Sequence, residues 1–546
     1  MKKRNLFLSL ICSIVLSITL VLAAVTGVIM PNFNDGKSPI VPPTTDVGSV
    51  ADYSAYEEHN ETADGSIENP YYLYNTESFI ELLQAHGTEE CYFEVVEDID
   101  FTDYEYVTLF IGDEAFNGKI NGNGHSLDNI SINVTLENLN QFETSQIISD
   151  TDIEGNTNQR NVHNAKIALF GTIKNAEITN LSIDNMNINV ENEVYGGITI
   201  GAYATSENPI NEMVVASIAS YAYDSKIEVN VNANISANAY AAVDNEGRLQ
   251  GYNTIAGMVG VANATTIANS EANITMNTDK GLSYNFNNRT GKKENVDNNF
   301  VAGVVGYLVN ESEISGMTVI FNLTAHYNQE SYIGGIVGYT RASKIENDQV
   351  TFTVTENRSR ATERFDIRNV DEIVSWVGGI ACTVGENTTI SNSIAYSANI
   401  AFDCIFGGVY ANAYTKLVDG VNVGVDGIVV EDVIVNANVD VLRAFGVAYF
   451  AGNNTVLNFN KTVVDYSNNQ TNYYFIKLAG SVRLNYLIEK VNDESRVYHA
   501  VNMVDSLGIG NRDFDSIADG KGFGISLELK YSLVGILSNT YYLYTI

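Results

Sequence analysis

A short glycine phrase recurs along this chain of 546 residues, and a polar turn follows it at a nearly fixed distance. The phrase reads Gly196-Gly197-Ile198, Ala256-Gly257-Met258-Val259-Gly260, Ala302-Gly303-Val304-Val305-Gly306, Gly334-Gly335-Ile336-Val337-Gly338, Gly378-Gly379-Ile380-Ala381-Cys382, Gly407-Gly408-Val409-Tyr410-Ala411 and Phe445-Gly446-Val447-Ala448. Successive second glycines lie 29 to 60 residues apart, so the whole period is irregular. The module inside it is regular: the Ile-x-Asn turns ending at Asn269, Asn347 and Asn392 lie 12, 12 and 13 residues after Gly257, Gly335 and Gly379. Looser versions end at Gly316, Asp419 and Asn458, 11 to 13 residues after their glycines, while Gly197 has none. A fixed two-strand corner with variable insertions suits stacked repeats, which must superpose while their loops take any length.

The residue types fit strands. The position after each second glycine is Ile198, Met258, Val304, Ile336, Ile380, Val409 or Val447, which predicts an inward-facing hydrophobic ladder. Three positions after the glycine the residue is small in Gly260, Gly306, Gly338, Cys382 and Ala411, as expected where backbone turns or approaches its neighbour. Asparagine tolerates the left-handed conformation and bonds its own backbone, so Asn at the end of each corner reads as turn chemistry.

On these residues the chain resembles bacterial surface proteins with GLUG-type repeats, in which a Gly-Gly-hydrophobic-hydrophobic-Gly strand precedes an Ile-x-Asn-hydrophobic turn. The resemblance covers about residues 165–460. It extends upstream through Asp64-Gly65-Ser66, Asn69-Pro70-Tyr71, Asp98-Ile99-Asp100-Phe101 and Asn121-Gly122-Asn123-Gly124-His125, with Leu169-Phe170-Gly171 and Ile178-Thr179-Asn180-Leu181 similar to a first repeat. It implies an all-β protein, a right-handed parallel β-helix displayed or secreted by bacteria, and assigns no biochemical activity. A motif of this kind defines fold better than function.

Residues 1–30 read as a targeting segment. Lys2, Lys3 and Arg4 precede an apolar run from Leu6 to Met30, long enough to cross a bilayer, so a cleaved signal peptide and an uncleaved N-terminal anchor both fit. Four of the 6 prolines, Pro31, Pro39, Pro42 and Pro43, follow, and residues 31–63 read as an extended linker. Residues 64–164 are expected to form an N-terminal cap and first coils, 165–460 the repeats, and 461–546 irregular last coils with a C-terminal cap. The only convincing helix falls between Asn75 and Gly87, with Thr76 as N-cap, a stripe of Phe79, Ile80, Leu82 and Leu83, and a stop at Gly87; it would cover the open end of the first coil. Long loops are expected at 230–253 and 277–300, where a binding surface would be sought.

Net charge is -36, and a body this acidic repels phosphate backbones and anionic head groups. No nucleic-acid partner is expected, and membrane contact only through residues 6–30 if they are retained. Beyond residue 30 the cysteines are Cys91, Cys382 and Cys404. Cys382 stands at a small-residue position and reads as packing, and a Cys382–Cys404 disulfide is left open. The histidines, His59, His86, His125, His163, His326 and His499, are scattered, so no metal site or cofactor is read.

Polysaccharide cleavage needs two carboxyls across a glycosidic bond, or a base with a cation beside it. Asp98, Asp100 and Asp103 lie close together but read as strand ends, and Arg341, Arg358 and Arg360 have no recurring acidic pair. The 32 tyrosines include Tyr307 and Tyr339, each four positions after a repeat glycine, which are expected to stack between coils. The expectation is a non-catalytic bacterial cell-surface or secreted protein acting in adhesion or ligand display, with an extracellular glycan or protein as its partner and no catalytic residue assigned. The alternatives are a polysaccharide-degrading β-helix enzyme and a purely structural spacer.

Overall fold

The computed structural model describes residues 52–503, apart from 136, 152–156, 192–211, 238–252, 279–285, 288–291, 294–298, 326–330, 357–374, 402–403, 414, 419–420, 442, 449–454, 459–462, 468–471, 477–481 and 492–493, together with 542–545. The targeting segment, the prolines of the linker, the Gly196-Gly197-Ile198 phrase, His326, Arg358 and Arg360 lie outside the described residues. Among the described residues no helix is long and apolar enough to cross a membrane.

The protein is all-β, and most strands belong to three largely parallel sheets of ten, seven and twenty-three strands, called I, II and III here. The chain passes through them repeatedly in that order. One such rung runs Asn253–Ala256 in sheet I, Val259–Asn263 in sheet II, then Thr266–Ala268 and Glu271–Asn277 in sheet III, before Asn299–Ala302 returns to sheet I. Register is kept from rung to rung. Ile255 pairs with Val301, which pairs with Ile333, then Val377, then Phe406. In sheet III, Ile267, Ile314, Ile345, Ile390 and Val430 form the same kind of column. The hydrophobic ladder read from the sequence is present: Met258, Val304, Ile336, Ile380 and Val409 are all fully buried, and Ile336 N–H donates to the Ile380 carbonyl at 2.8 Å.

The glycine phrase is the bend between sheets I and II rather than a strand. A Cβ placed on Gly257, Gly303, Gly335 or Gly379 would lie 1.9 to 2.3 Å from the carbonyl oxygen of the second glycine one rung on. None of these four is among the positive-φ glycines, which are Gly65, Gly124, Gly316 and Gly427. Glycine is therefore required here by the approach of stacked backbones, and left-handed conformation plays no part.

The polar turns do use that conformation. Asn269, Gly316, Asn347 and Asn392 have φ of 49°, 69°, 58° and 49° and separate the two sheet III strands of their rungs. Two of the looser turns are corrected. Thr415–Val418 forms an antiparallel hairpin with Val421–Gly424, so the turn in that rung is Asp432, φ 48°, rather than Asp419. Leu457 pairs with Val430, which puts the turn ending at Asn458 one residue out of register. A rung with no glycine pair was also missed: its bend is Ala216-Ser217-Ile218, with Val215 paired to Ile255.

The N-terminal end carries two helices. Residues 54–62, read as the end of a linker, form α1 (Ser54–Thr62), and α2 is Thr76–His86. The Asn60 amide faces the first strand, β1 (Tyr71–Leu73): Nδ2 donates to Tyr72 O at 2.9 Å, and Oδ1 accepts from Tyr72 N at 2.7 Å. His59 stacks on the Tyr72 ring at 3.7 Å. One side chain thus imitates a neighbouring strand and blunts the edge. Asn75, not Thr76, caps α2, accepting from Ser78 N at 2.8 Å, while the Ser78 hydroxyl accepts from the Asn75 N–H. Phe79 and Leu83 are fully buried against the leading strands. Gly87 stops the helix with right-handed φ, -71°, and an added Cβ would meet Leu83 O.

Part of each expected loop is ordered differently. Residues 230–236 continue the strand Lys226–Ser236, and Phe286–Asn287 pairs antiparallel with Lys292–Lys293. At the C-terminal end Val482–Val491 pairs parallel with two preceding strands and antiparallel with Glu494–Met503, which in turn pairs with Tyr542–Thr545.

Candidate functional site

The bend between sheets I and II is re-entrant. The outward row of sheet I consists of the residues two before each bend: Lys166, Val214, Thr254, Phe300, Tyr332, Trp376 and Ile405, paired in order. The outward row of sheet II is Thr172, Tyr221, Val261, Tyr307, Tyr339 and Thr383, likewise in register. The rows meet across the bend. Lys166 Nζ donates to Thr172 Oγ1 at 2.9 Å and sits 5.5 Å from the centre of the Tyr221 ring. Phe300 is 5.5 Å from Tyr307, 5.6 Å from Tyr332 and 5.9 Å from Tyr339, centre to centre.

This geometry explains the small residue three positions after the glycine. A Cβ on Gly260 would lie 2.0 Å from Val214 Cγ1, and one on Gly306 would lie 2.0 Å from Thr254 Cγ2. Side chains of the sheet I row fold over the start of the sheet II strand on the next rung, and only a small residue leaves them room. Cys382 occupies that position with its Sγ 3.1 Å from the Trp376 carbonyl; it is fully buried, and burial pushes its thiol far up. Cys404 is also buried, and Cys91, Cys382 and Cys404 form no disulfide.

Tyr307 and Tyr339 stack as expected, 4.4 Å apart and 8° from parallel. Tyr339 forms with Phe300 and Val309 a buried hydrophobic cluster separate from the main core, against which Tyr307 and Tyr332 pack. Tyr307, Tyr332 and Trp376 are half-buried, so the groove presents aromatic edges to solvent. The sequence reading found Tyr307 and Tyr339 but missed the facing row. The signal was there: Phe300-Val301-Ala302, Tyr332-Ile333-Gly334 and Trp376-Val377-Gly378 each place an aromatic residue two before a small one.

The carboxyls of the leading segment act mainly as turn and strand-end groups. Asp98 Oδ1 accepts from Ser126 N at 3.1 Å and lies 3.0 Å from His125 Nδ1. Hydrogen bonds from Asn129 and then Thr102 hold the Asp100 carboxyl below its ordinary range. Asp100, Asp128 and Asp184 occupy one column on adjacent strands. Burial, then the charges of Asp128 and Asp98, raises Asp184. Arg341 is paired with Glu386 at 2.6 Å. Among the described residues no group of three or more His, Cys, Asp or Glu side chains is arranged to hold a metal ion.

No family model matches the chain, and no curated protein matches it. Among solved structures it is similar to an IgA1 protease at 12% identity and a TM-score of 0.37, covering 70% of this chain and 22% of that one. A putative immunoglobulin A1 protease from Bacteroides ovatus overlaps 80% of this chain and 81% of its own at 11% identity and a TM-score of 0.27. The chain thus spans about a fifth of the first of these proteins.

Proposed function

We propose that the protein is a non-catalytic, extracellular right-handed parallel β-helix whose re-entrant aromatic groove engages an extracellular glycan or protein. The repeated passage I to II to III, with the columns of rungs from Asn253 to Ala413 kept in register, supports the helix. The groove carries the functional reading. Its aromatic residues are additional to the main core. Half-buried Tyr and Trp side chains offer an apolar body with a polar tip, a composition enriched at recognition surfaces. The apolar run of residues 6–30 supports export, with either cleavage or retention as an anchor.

The full-length protein applied to immobilised glycans and to host surface proteins tests this reading. Saturable binding is expected, weakened at least about tenfold in Tyr332→Ala and Trp376→Ala, as for hot-spot aromatics. Binding that survives both substitutions removes the groove from the account. Incubation with immunoglobulin A1 tests the opposite class, and specific cleavage of its chain would contradict a non-catalytic role.

A further inference from the structure

Behind each polar turn of sheet III lies a buried position, and at three of the five its side chain ties the rung to the preceding one. It is occupied in order by Ser270, Met317, Asp348, Ser393 and Val433, each following the left-handed residue of its turn. The serines work in both directions. Ser270 Oγ accepts from Val229 N on the preceding rung at 2.9 Å and donates to Ala268 O, two residues back, at 2.7 Å. Ser393 Oγ accepts from Asp348 N at 3.2 Å and donates to Ser391 O at 2.8 Å.

Asp348 reproduces the accepting half of this pattern, its Oδ1 taking the Met317 N–H at 2.8 Å. It is fully buried, and its Oδ2 has no hydrogen-bond partner. As a carboxylate it can only accept, so the donating half of the serine pattern, toward the carbonyl of Glu346, is empty. A neutral carboxylic acid carries the missing O–H.

We infer that Asp348 is held as the neutral acid, with its Oδ2–H donating to the Glu346 carbonyl as the hydroxyls of Ser270 and Ser393 donate to the carbonyls two residues before them. Loss of that proton to water then makes the stack between Met317 and Ser393 a pH-sensitive latch. Ionisation would remove the donor and leave a charge in a dry site, where an unpaired carboxylate is costly. The charged and titratable groups on the strands packed around it are Glu313, Lys344, Glu346, Tyr396 and, at the far end of its own strand, Glu356. Lys344 pairs with Glu346 at 2.6 Å. Burial raises the Asp348 carboxyl to about 7 from the ordinary 3.8, with the charges of Glu346 and Glu313 adding to the rise against the lowering backbone hydrogen bonds of Met317 and Glu346. Because the folded value is the higher one, the contribution of this proton to stability is complete below about 3.8 and is lost as pH climbs to about 7.

The test is thermal unfolding of the full chain and of Asp348→Ser at pH 5, 6, 7 and 8. The serine completes both hydrogen bonds without a titrating group. The melting temperature of the wild type should fall relative to the variant as pH rises from 5 to 7, with the gap level from 7 to 8. A gap that does not change with pH overturns the inference. Asp348→Asn, whose amide also donates and accepts, serves as the second variant, and the wild type should fall relative to it over the same pH range. Hydrogen exchange of the wild-type segment 313–325 should also quicken between pH 5 and 7 beyond its intrinsic pH dependence, and unchanged protection overturns the latch as well.

Discussion

The two corners of each rung solve the same problem by different physics. At the bend from sheet I to sheet II, Gly257, Gly303, Gly335 and Gly379 rest against one another's carbonyls, and the space for a side chain is filled by the next rung. At the turn inside sheet III, Asn269, Asn347 and Asn392 stand in the left-handed region with room for their side chains; Asn269 Nδ2 even reaches Glu228 on the preceding rung at 3.2 Å. At those four positions the first corner leaves no room for a Cβ, for reasons of packing between rungs, whereas the bend at Ala216-Ser217-Ile218 accommodates Ser217 at the equivalent place. The second asks only for a residue that tolerates positive φ, and Asp432 and Gly316 serve equally.

That difference sets an order of effects. Gly335→Ala should cost more than about 4 kcal/mol in denaturant unfolding, since its Cβ would lie 2.2 Å from the Gly379 carbonyl and the whole stack must part to admit it. A loss under about 1 kcal/mol would show that the corners are equivalent. Ile336→Ala, which empties a core position beside the same bend, should cost about 2–5 kcal/mol. Asn347→Ala should cost about 1 kcal/mol, because alanine keeps the Cβ but loses the side-chain amide that lets asparagine tolerate the left-handed region, while Asn347→Gly should be close to neutral. The smallest effect has the opposite sign. At the turn between sheets II and III, Ala342 adopts φ 48°, so Ala342→Gly should raise stability by about 0.5 kcal/mol as relief of strain outweighs added chain entropy.

Legibility in the sequence follows the same division. The glycine phrase was visible because from Gly257 to Gly379 each second glycine lies too close to the next rung's carbonyl to carry a Cβ, and it located the bends from Gly257 to Gly408. Where the demand is looser, the signal fades. The turn between sheets II and III is made by Asn175, Asp224, Ala264, Asn310, Ala342 and Asn387, and no single-residue pattern marks it. The bend at Ala216-Ser217-Ile218 has no glycine, and the hairpin Thr415–Val418 with Val421–Gly424 displaced a turn that spacing alone placed at Asp419. Helix α1 was hidden for another reason: it has no buried residue, so it shows no apolar stripe, and it is held by Asn60 and His59 acting on the backbone and ring of the strand it covers. The groove was half legible. Tyr307 and Tyr339 followed from the repeat, but Phe300, Tyr332 and Trp376 face them only because the bend is re-entrant, which spacing does not encode. Asp348 was not legible at all, since a buried acid in a column shared with Ser270 and Ser393 shows only once the register is known.

The central claim is that successive rungs superpose in register. It is tested most directly by the distance between spin labels placed on Asn187→Cys and Asn399→Cys, exposed positions of one sheet III column. Asn187, Asn234, Thr275, Asn322, Thr353 and Asn399 are neighbours in turn on that column. At ~4.8 Å per step the backbone separation is about 24 Å, and a single narrow distance near that value is predicted. A separation beyond about 35 Å, or a broad distribution without a peak near the strand-spacing value, would contradict the stacking on which the groove, the glycine bends and the Asp348 latch all depend.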